Sequence, residues 1–266
     1  MKQKYFYLHI PKTAGTTFND FLKRAFSSKE TLFHIESKLE KIDNQRVLAG
    51  HVILPRAQKI IPNFENYIKL TVLRDPLSQI SSHLRYVKKL GEPSEAKRLE
   101  GHTESIKTIV VFLSTINFSK VEDINRLVQW LEENNYVLFH NCQMQYLVGS
   151  RFIITETQVE RGKQVLDSIE YVGVTERLTE YMELLSQKFG IVGKVKNKKL
   201  NITSETYGLD IKNPDIIKAL EPLIHYDKLI YQYAKDKFEK EIISFLENKK
   251  YQKHNYFDKI YKLLFK

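Results

Sequence analysis

The sequence reads KYFYLHIPKTAGTT over residues 4–17, and this stretch decides the fold. Its first half is rich in aromatic and β-branched side chains and stops at Pro11, which predicts a buried strand. Apolar side chains then recur at helical spacing, which predicts a helix that is capped by Thr16 or Thr17 and ends near Phe26. A strand, a short turn and a helix in this order are the first unit of an α/β fold.

Strands and helices continue to alternate after this unit. Hydrophobic patterning predicts strands over residues 4–10, 46–52, 67–73 and 171–174. Helical periodicity predicts helices over residues 77–90, 105–118, 121–134, 141–149, 158–168, 178–189, 216–239 and 241–265. The alternation predicts an α/β fold in which a parallel β-sheet is flanked by helices, with a largely helical C-terminal part. Ligands of such sheets bind outside the carboxyl ends of the strands.

The length of 266 residues fits one domain with a helical appendage. We expect the domain to span residues 1–240 and a basic amphipathic helix to span residues 241–266. Cys142 is the single cysteine, so the chain forms no internal disulfide, and we expect a cytoplasmic protein. No apolar stretch approaches the length of a signal peptide or a membrane-spanning helix.

The net charge of +10 admits several partners. It indicates an anionic ligand, an anionic acceptor or a membrane surface, but a solubilising lysine excess explains it equally well. Residues 251–266 are basic and aromatic, so this tail could touch an anionic membrane peripherally or pack on the domain; we favour packing. Nucleic acid is not an expected partner, because the sequence has no zinc finger, helix-turn-helix or RNA-binding aromatic signature.

The turn after the first strand has the features of an anion-binding loop. Backbone N–H groups at the start of a helix lack internal partners, and the helix dipole favours negative charge there. Glycine lets a ligand approach the backbone, threonine hydroxyls donate hydrogen bonds, and a lysine can follow charge that develops on a leaving oxygen. The candidate binding residues are Lys12, Thr13, Ala14, Gly15, Thr16 and Thr17.

The order of residues in this loop differs from that of nucleotide triphosphatases. Their P-loop is Gly-x-x-x-x-Gly-Lys-Ser/Thr, with the lysine after the last glycine and a hydroxyl residue for magnesium. Here Lys12 comes before Gly15, and no Ser or Thr follows a Gly-Lys pair. The fold is therefore P-loop-like, and an ATP- and Mg²⁺-dependent kinase or phosphoryl transferase remains the weaker alternative.

A second anion-binding motif follows the strand over residues 67–73. Arg74 stands at the end of that strand, where its guanidinium can hold a phosphate through paired hydrogen bonds. Ser82 lies eight residues further on, one to two turns into the next helix, and Ser78 and Ser81 are weaker candidates. Arg74 thus gives the sequence a second candidate for binding an anion, separate from the loop.

Residues 9–18 resemble the 5′-phosphosulfate loop of sulfotransferases that use 3′-phosphoadenosine 5′-phosphosulfate (PAPS). They look most like the carbohydrate branch that includes heparan sulfate 2-O-sulfotransferase and bacterial relatives. The resemblance implies a sulfotransferase fold, PAPS as the sulfuryl donor, no metal, and a glycan or other hydroxyl-bearing acceptor. It also implies that Lys12 bridges the sulfuryl group and the leaving phosphate, and that Arg74 and Ser82 bind the 3′-phosphate.

The resemblance also implies a catalytic base. Sulfuryl transfer to an alcohol needs a group that removes the hydroxyl proton, and histidine is the usual residue. His51 follows a glycine at the position that resembles the base of the 2-O-sulfotransferase group. That group has another histidine two residues earlier, where this chain has Ala49. His9, His83 and, more weakly, Glu36 are competing candidates.

Two later segments resemble helices of the same family. Residues 141–149 are similar to its Asn-x-Gln-x-Arg-x-Leu-x-Gly helix, with Gln145 in place of the arginine. Residues 226–231 are similar to its closing Asp-x-x-Leu-Tyr helix, which we expect to be core packing. Neither segment is assigned a ligand from its sequence.

Two further segments resemble parts of the family that lie near the nucleotide. Residues 172–178 match a Val-Gly-x-Thr-Glu strand and turn, and we expect Thr175 to cap a helix there. The basic stretch 194–201 occupies the place where relatives close over the nucleotide. For that stretch, ligand contact and a solvated run of charge are equally consistent with the sequence.

Overall fold

The computed structural model describes residues 2–150, 154–190 and 209–264, with side chains as far as residue 247. The strands are β1 Lys4–Leu8, β2 Thr31–Phe33, β3 Val47–Gly50, β4 Tyr67–Leu73 and β5 Tyr171–Val174. The helices are α1 Gly15–Ala25, α2 Leu54–Ile60, α3 Pro76–Lys89, α4 Ala96–Glu100, α5 Glu104–Ser114, α6 Val121–Glu133, α7 Cys142–Val148, α8 Val159–Asp167, α9 Leu178–Lys188 and α10 Pro214–Leu264. None of these helices combines the length and apolarity that a membrane crossing requires.

The described strands form a single parallel sheet in the order β2-β3-β1-β4-β5. β1 is the central strand. The chain passes from β1 to β2 and β3 on one side of it, and then crosses from β3 to β4 and β5 on the other side. This reversal is a topological switch point, where α/β sheets bind ligands at the carboxyl ends of the strands. The predicted α/β fold with a parallel, helix-flanked sheet is confirmed.

Both faces of the sheet are covered, as a parallel sheet requires. Tyr5 and Tyr7 point to one face and pack with α1 and α9, while Phe6 and Leu8 point to the other face and pack with α7 and α8. This alternation follows from the two-residue period of a strand. A third apolar cluster joins α3, α5, α6 and the start of α10.

Helix α10 is one continuous helix where the sequence predicted two with a boundary near residue 240. Phe238 and Ile242 lie four residues apart, so they share one face of the helix, and both are buried in the cluster beside α1 and α9. Because both side chains are buried on the same face, the helix continues through residue 240, where the sequence predicted a boundary. α10 also contributes Ile230 to the second sheet face and Leu220 to the third cluster, so it joins all three cores.

Three short elements were absent from the sequence prediction. Strand β2 has three residues and forms one edge of the sheet, α2 has seven residues after the end of β3, and α4 has five residues between α3 and α5. Elements this short contain too few residues for a hydrophobic period to be recognised. The predicted packing of residues 251–266 concerns side chains outside the described part, so it stays a prediction.

We expect Gly173→Ala to lower the free energy of unfolding by about 1 to 3 kcal/mol. A Cβ at residue 173 in β5 would lie 2.4 Å from Cδ1 of Tyr181, whose ring is fully buried against the sheet. Gly101→Ala is the matched control, since its Cβ would meet only the Arg98 carbonyl oxygen at 3.6 Å. Urea denaturation of both variants measures the difference, and equal stabilities would contradict the packing described.

Candidate active site

The carboxyl ends of three adjacent strands converge on one cavity. β1 leads into the loop that contains Lys12, β3 leads into His51, and β4 leads into Arg74. The cavity has a volume of about 880 Å³. Residues of all three predicted motifs line it together: Lys12, Ala14, Gly15, Thr16, Thr17, His51, Arg74 and Ser82.

The loop after β1 has an unusual backbone. Lys12 and Ala14 both have φ of 64°, in the left-handed region that costs a residue with a side chain about 1 to 2 kcal/mol. Ala14 is also the N-cap of α1, so the predicted capping by Thr16 or Thr17 is wrong. Because alanine has no side-chain acceptor for the N–H groups of the first turn, the helix start suits an anionic ligand.

Gly15 is required by the imidazole of His9. A Cβ at residue 15 would lie 1.5 Å from Nε2 of His9, which is closer than any non-bonded contact. The His9 ring is buried beneath the loop, and its Nδ1 has no hydrogen-bond partner among the described residues. Glycine at this position therefore allows the helix to start directly against the strand that precedes it.

The second motif holds the first in place. Nη1 of Arg74 donates to the carbonyl oxygen of Lys12 at 3.0 Å, and Nε2 of Gln79 donates to that of Pro11 at 3.0 Å. Asp75 caps α3 by accepting a hydrogen bond from the Ser78 N–H at 2.8 Å. These contacts fix the loop backbone from the end of β4 and the start of α3.

The environment of Lys12 is positively charged. Burial, followed by the charges of Arg74, Arg98 and Arg85, lowers the pKa of Lys12 to about 8. Its Nζ lies 4.4 Å from the centre of the Tyr86 ring, and no carboxylate in the described part of the chain forms an ion pair with it. A cavity with several cations around one lysine attracts anions.

The structure separates the candidate hydroxyl groups. Ser82 lines the cavity, whereas Ser78 and Ser81 do not. Thr16 and Thr17 also line it. Thr13 does not line it: its side chain is fully buried and its Oγ1 donates to the Ile10 carbonyl oxygen at 3.0 Å.

His51 is held in a defined orientation. Its Nδ1 lies 2.8 Å from the carbonyl oxygen of His9, and because a carbonyl only accepts, Nδ1 carries the proton. The lone pair of the neutral ring is then on Nε2. Burial is the main effect that lowers the pKa of His51, and the Glu36 carboxylate opposes it. The ring is therefore neutral near pH 7, in the tautomer that can accept a proton at Nε2.

A family model described as the sulfotransferase family matches residues 1–234 of the chain. The matched range contains the loop, His51, Arg74 and Ser82, and it covers well over half of the sequence. The chain belongs to the sulfotransferase family. No curated protein matches it in a sequence search. Membership establishes a transferase of sulfuryl groups, and the converging strand ends are its candidate active site.

The competing histidines of the sulfotransferase have different surroundings. The rings of His9 and His51 are in contact, with centres 3.9 Å apart and planes inclined at 32°, and burial holds the pKa of His9 well below its usual range. His83 is buried against Phe139, its Nδ1 has no hydrogen-bond partner in the described part of the chain, and burial lowers its pKa to about 3. Glu36 does not line the cavity; its Oε2 accepts the His51 backbone N–H at 2.9 Å.

The sequence did not indicate one wall of the sulfotransferase cavity. Tyr86, Arg98 and His102 line it from α3, from α4 and from the turn after α4. Tyr86 could have been found, because it lies one helical turn after Ser82 on the same face. Arg98 and His102 follow no strand end, and the residues around them have no motif that marks a site.

The turn after β5 also lines the cavity, over residues 175–180. Thr175 was expected to cap a helix, but its Oγ1 donates to the Leu73 carbonyl oxygen at 3.1 Å and so ties β5 to the end of β4. The N-cap of α9 is Arg177. The basic stretch 194–201 lies outside the described residues. Among those residues, no three His, Cys, Asp or Glu side chains are grouped in a way that could hold a metal ion.

We expect His83→Leu to reduce the loss of stability on acidification. The pKa of His83 is about 3 in the folded protein against an ordinary value of 6.5, so the unfolded chain binds a proton that the folded protein excludes. The stabilisation is present above pH 6.5 and is lost as the pH falls towards 3. Denaturation at pH 7 and pH 5 should show the variant losing about 1.5 to 2 kcal/mol less than the wild type. Parallel pH dependence in the two proteins would contradict this.

Proposed function

We propose that this sulfotransferase moves the sulfuryl group of PAPS to a hydroxyl group of an acceptor, and that this acceptor is a saccharide. The observation that carries the proposal is that two candidate anion-binding motifs and the imidazole of His51 line the same cavity. The loop with Lys12 accounts for a phosphosulfate, Arg74 and Ser82 account for a separate phosphate, and His51 accounts for proton removal. A ligand with a single phosphate group would occupy only one of the two motifs.

The residues present fit the donor. Gly15 leaves the start of α1 open to close approach, and the capping residue Ala14 has no competing side-chain acceptor. Lys12 is on the cavity wall, the charges that lower its pKa are those of arginines, and no carboxylate among the described residues forms an ion pair with it. A cavity of about 880 Å³ is within the range of natural ligand sites.

The chain's own groups account for the transfer step. When bound, PAPS supplies an activated sulfuryl group whose bond to a phosphate oxygen breaks as the acceptor oxygen bonds to sulfur. Nε2 of His51 takes the proton of the attacking hydroxyl, while its Nδ1–H stays bonded to the His9 carbonyl. Lys12 and the first turn of α1 stabilise the negative charge that the departing phosphate oxygen gains.

The acceptor is the part of this proposal that depends most on family resemblance. Residues 9–18 and the Gly50-His51 pair favour a saccharide hydroxyl and the 2-O-sulfotransferase-like branch. Ala49, in place of that branch's second histidine, indicates a different contact with the acceptor. We propose a cytoplasmic enzyme that needs no metal, with the tail over residues 251–266 as a potential peripheral membrane contact.

We expect adenosine 3′,5′-bisphosphate to raise the melting temperature, and ATP with Mg²⁺ to raise it less. The bisphosphate engages both motifs, whereas ATP places its three phosphates on one side of the nucleoside. Differential scanning fluorimetry at equal ligand concentrations measures the two shifts. Stabilisation by ATP with Mg²⁺ alone would replace the sulfotransfer proposal by a phosphoryl transfer one.

We expect His51→Ala to lower kcat by about 10² to 10⁴-fold, the usual contribution of a general base. Affinity for adenosine 3′,5′-bisphosphate should stay unchanged, since the two anion motifs are intact. The wild-type kcat should fall on the acid side with a midpoint below 6.5, because the pKa of His51 is lowered. Turnover of a desulfated glycan panel with labelled PAPS measures both, with the exposed His225→Ala as control. Normal turnover in His51→Ala would remove the assignment.

A further inference from the structure

A buried polar cluster joins α7, α10 and the end of β4, and the proposed chemistry makes no use of it. Asn141 and Gln143 are fully buried and Asp227 is 1% exposed. Buried amides and carboxylates cost free energy unless they are hydrogen-bonded, so the groups that they bind to are informative. Their partners are backbone groups of three separate segments.

Gln143 is bonded to the backbone of Arg74 in both directions. Its Oε1 accepts the Arg74 N–H at 2.9 Å, and its Nε2 donates to the Arg74 carbonyl oxygen at 2.8 Å. A side-chain amide supplies a donor and an acceptor at this reach, which neither a carboxylate nor an apolar side chain does. The pair fixes the backbone of the residue whose guanidinium bonds to Lys12 and faces the cavity.

Asp227 holds the start of α7, the helix that carries Gln143. Its Oδ2 accepts the Gln143 N–H at 3.1 Å and its Oδ1 accepts the Met144 N–H at 2.8 Å. The N-cap of α7 is Asn141, which has φ of 45° and makes no capping hydrogen bond to its own helix. A carboxylate of α10 therefore supplies the cap that the local sequence does not.

Asn141 is bonded instead to the backbone of α10. Its N–H donates to the Leu223 carbonyl oxygen at 2.7 Å, and its Oδ1 accepts the N–H groups of Tyr226 and Asp227 at 2.8 and 3.1 Å. The three side chains form one chain of contacts from α10 through α7 to Arg74. Each member is fixed by groups that it cannot exchange for water, because the cluster is buried.

We propose that Gln143 and Asp227 are positioning residues for Arg74 in the subsite that binds the 3′-phosphate of the donor. The inference rests on the proposed function, since it takes the 3′-phosphate as the ligand of Arg74. Gln143 fixes the position of the Arg74 backbone, and therefore of its guanidinium. Asp227 fixes the start of α7, the helix that carries Gln143. The alternative is that the cluster only docks α10 onto α7.

The test compares two nucleotides that differ by the 3′-phosphate alone. Isothermal titration gives Kd for adenosine 3′,5′-bisphosphate and for adenosine 5′-monophosphate, and their ratio is the preference for the 3′-phosphate. Gln143→Met removes both bonds to Arg74, and we expect it to lower the preference about tenfold, as loss of one or two buried hydrogen bonds implies. Asp227→Asn, which keeps one acceptor oxygen, should lower it about threefold. Exposed Gln129→Met is the matched control and should leave the ratio unchanged.

A double-mutant cycle separates positioning from docking. If Gln143 acts through Arg74, then Arg74→Ala with Gln143→Met has the same preference as Arg74→Ala alone. Equal weakening of both nucleotides by Gln143→Met, or additive losses in the double mutant, would overturn the inference and leave a docking role. If Gln143→Met does not fold, Gln143→Glu carries the same test, because it keeps the length and one of the two bonds.

The two proposals fail in distinguishable ways. A wild-type protein without any preference for the bisphosphate contradicts PAPS as the donor, and the positioning role falls with it. A wild-type preference that survives in Gln143→Met and Asp227→Asn contradicts only the positioning role.

Discussion

The hydrogen bond from the Arg74 guanidinium to the Lys12 carbonyl oxygen is the contact on which the site depends. Lys12 and Ala14 adopt left-handed backbone conformations that an isolated chain disfavours, and such conformations persist only where the surroundings determine them. Arg74 supplies part of that determination from a segment 62 residues away. The two motifs are therefore coupled: Arg74, which we propose binds the second anion, also fixes the backbone of the loop that we propose binds the first.

The partly buried positive charges of the site explain why the cavity favours binding of an anion. Lys12 and Arg74 are partly buried, and burial lowers the pKa of both. Gathering cations out of water costs free energy, which an anion with two separated charged groups offsets on binding. Glu176 acts electrostatically on Arg74, and its carboxylate is occupied by the Asp75 N–H and by the hydroxyl of Tyr231.

Most of the sheet and the strand-end residues could be predicted from the sequence for a physical reason. Strands buried on both faces are continuous apolar runs, so β4 and β5 were predicted with their observed bounds, and Lys12, Arg74 and His51 follow from where such runs stop. The edge strand β2 is too short to show a pattern. Helix α10 is continuous because Phe238 and Ile242 are buried in the same cluster. The polar residues near position 240 gave no sign of this burial in the sequence.

The parts of the site that sequence could not reveal depend on pairs that are distant in the chain. Gln143 and Asp227 are 84 residues apart, and each segment alone resembles ordinary core packing. Arg98 and His102 reach the cavity from the side, with no strand end to mark them. For Thr13, the residue type indicated a hydroxyl that can donate a hydrogen bond. The sequence did not show that this hydroxyl donates to the Ile10 carbonyl oxygen.

The course of α10 across all three apolar clusters has a consequence for biosynthesis. Synthesis proceeds from the N-terminus, so both anion-binding motifs leave the ribosome long before the residues of α10 that complete their support. A nascent chain that ends before Pro214 would contain Lys12, His51 and Arg74, but all three apolar clusters would still lack the side chains that α10 contributes. The enzyme therefore acquires its ordered site late, in a closing step that depends on contacts remote along the chain, which are the slowest kind to form.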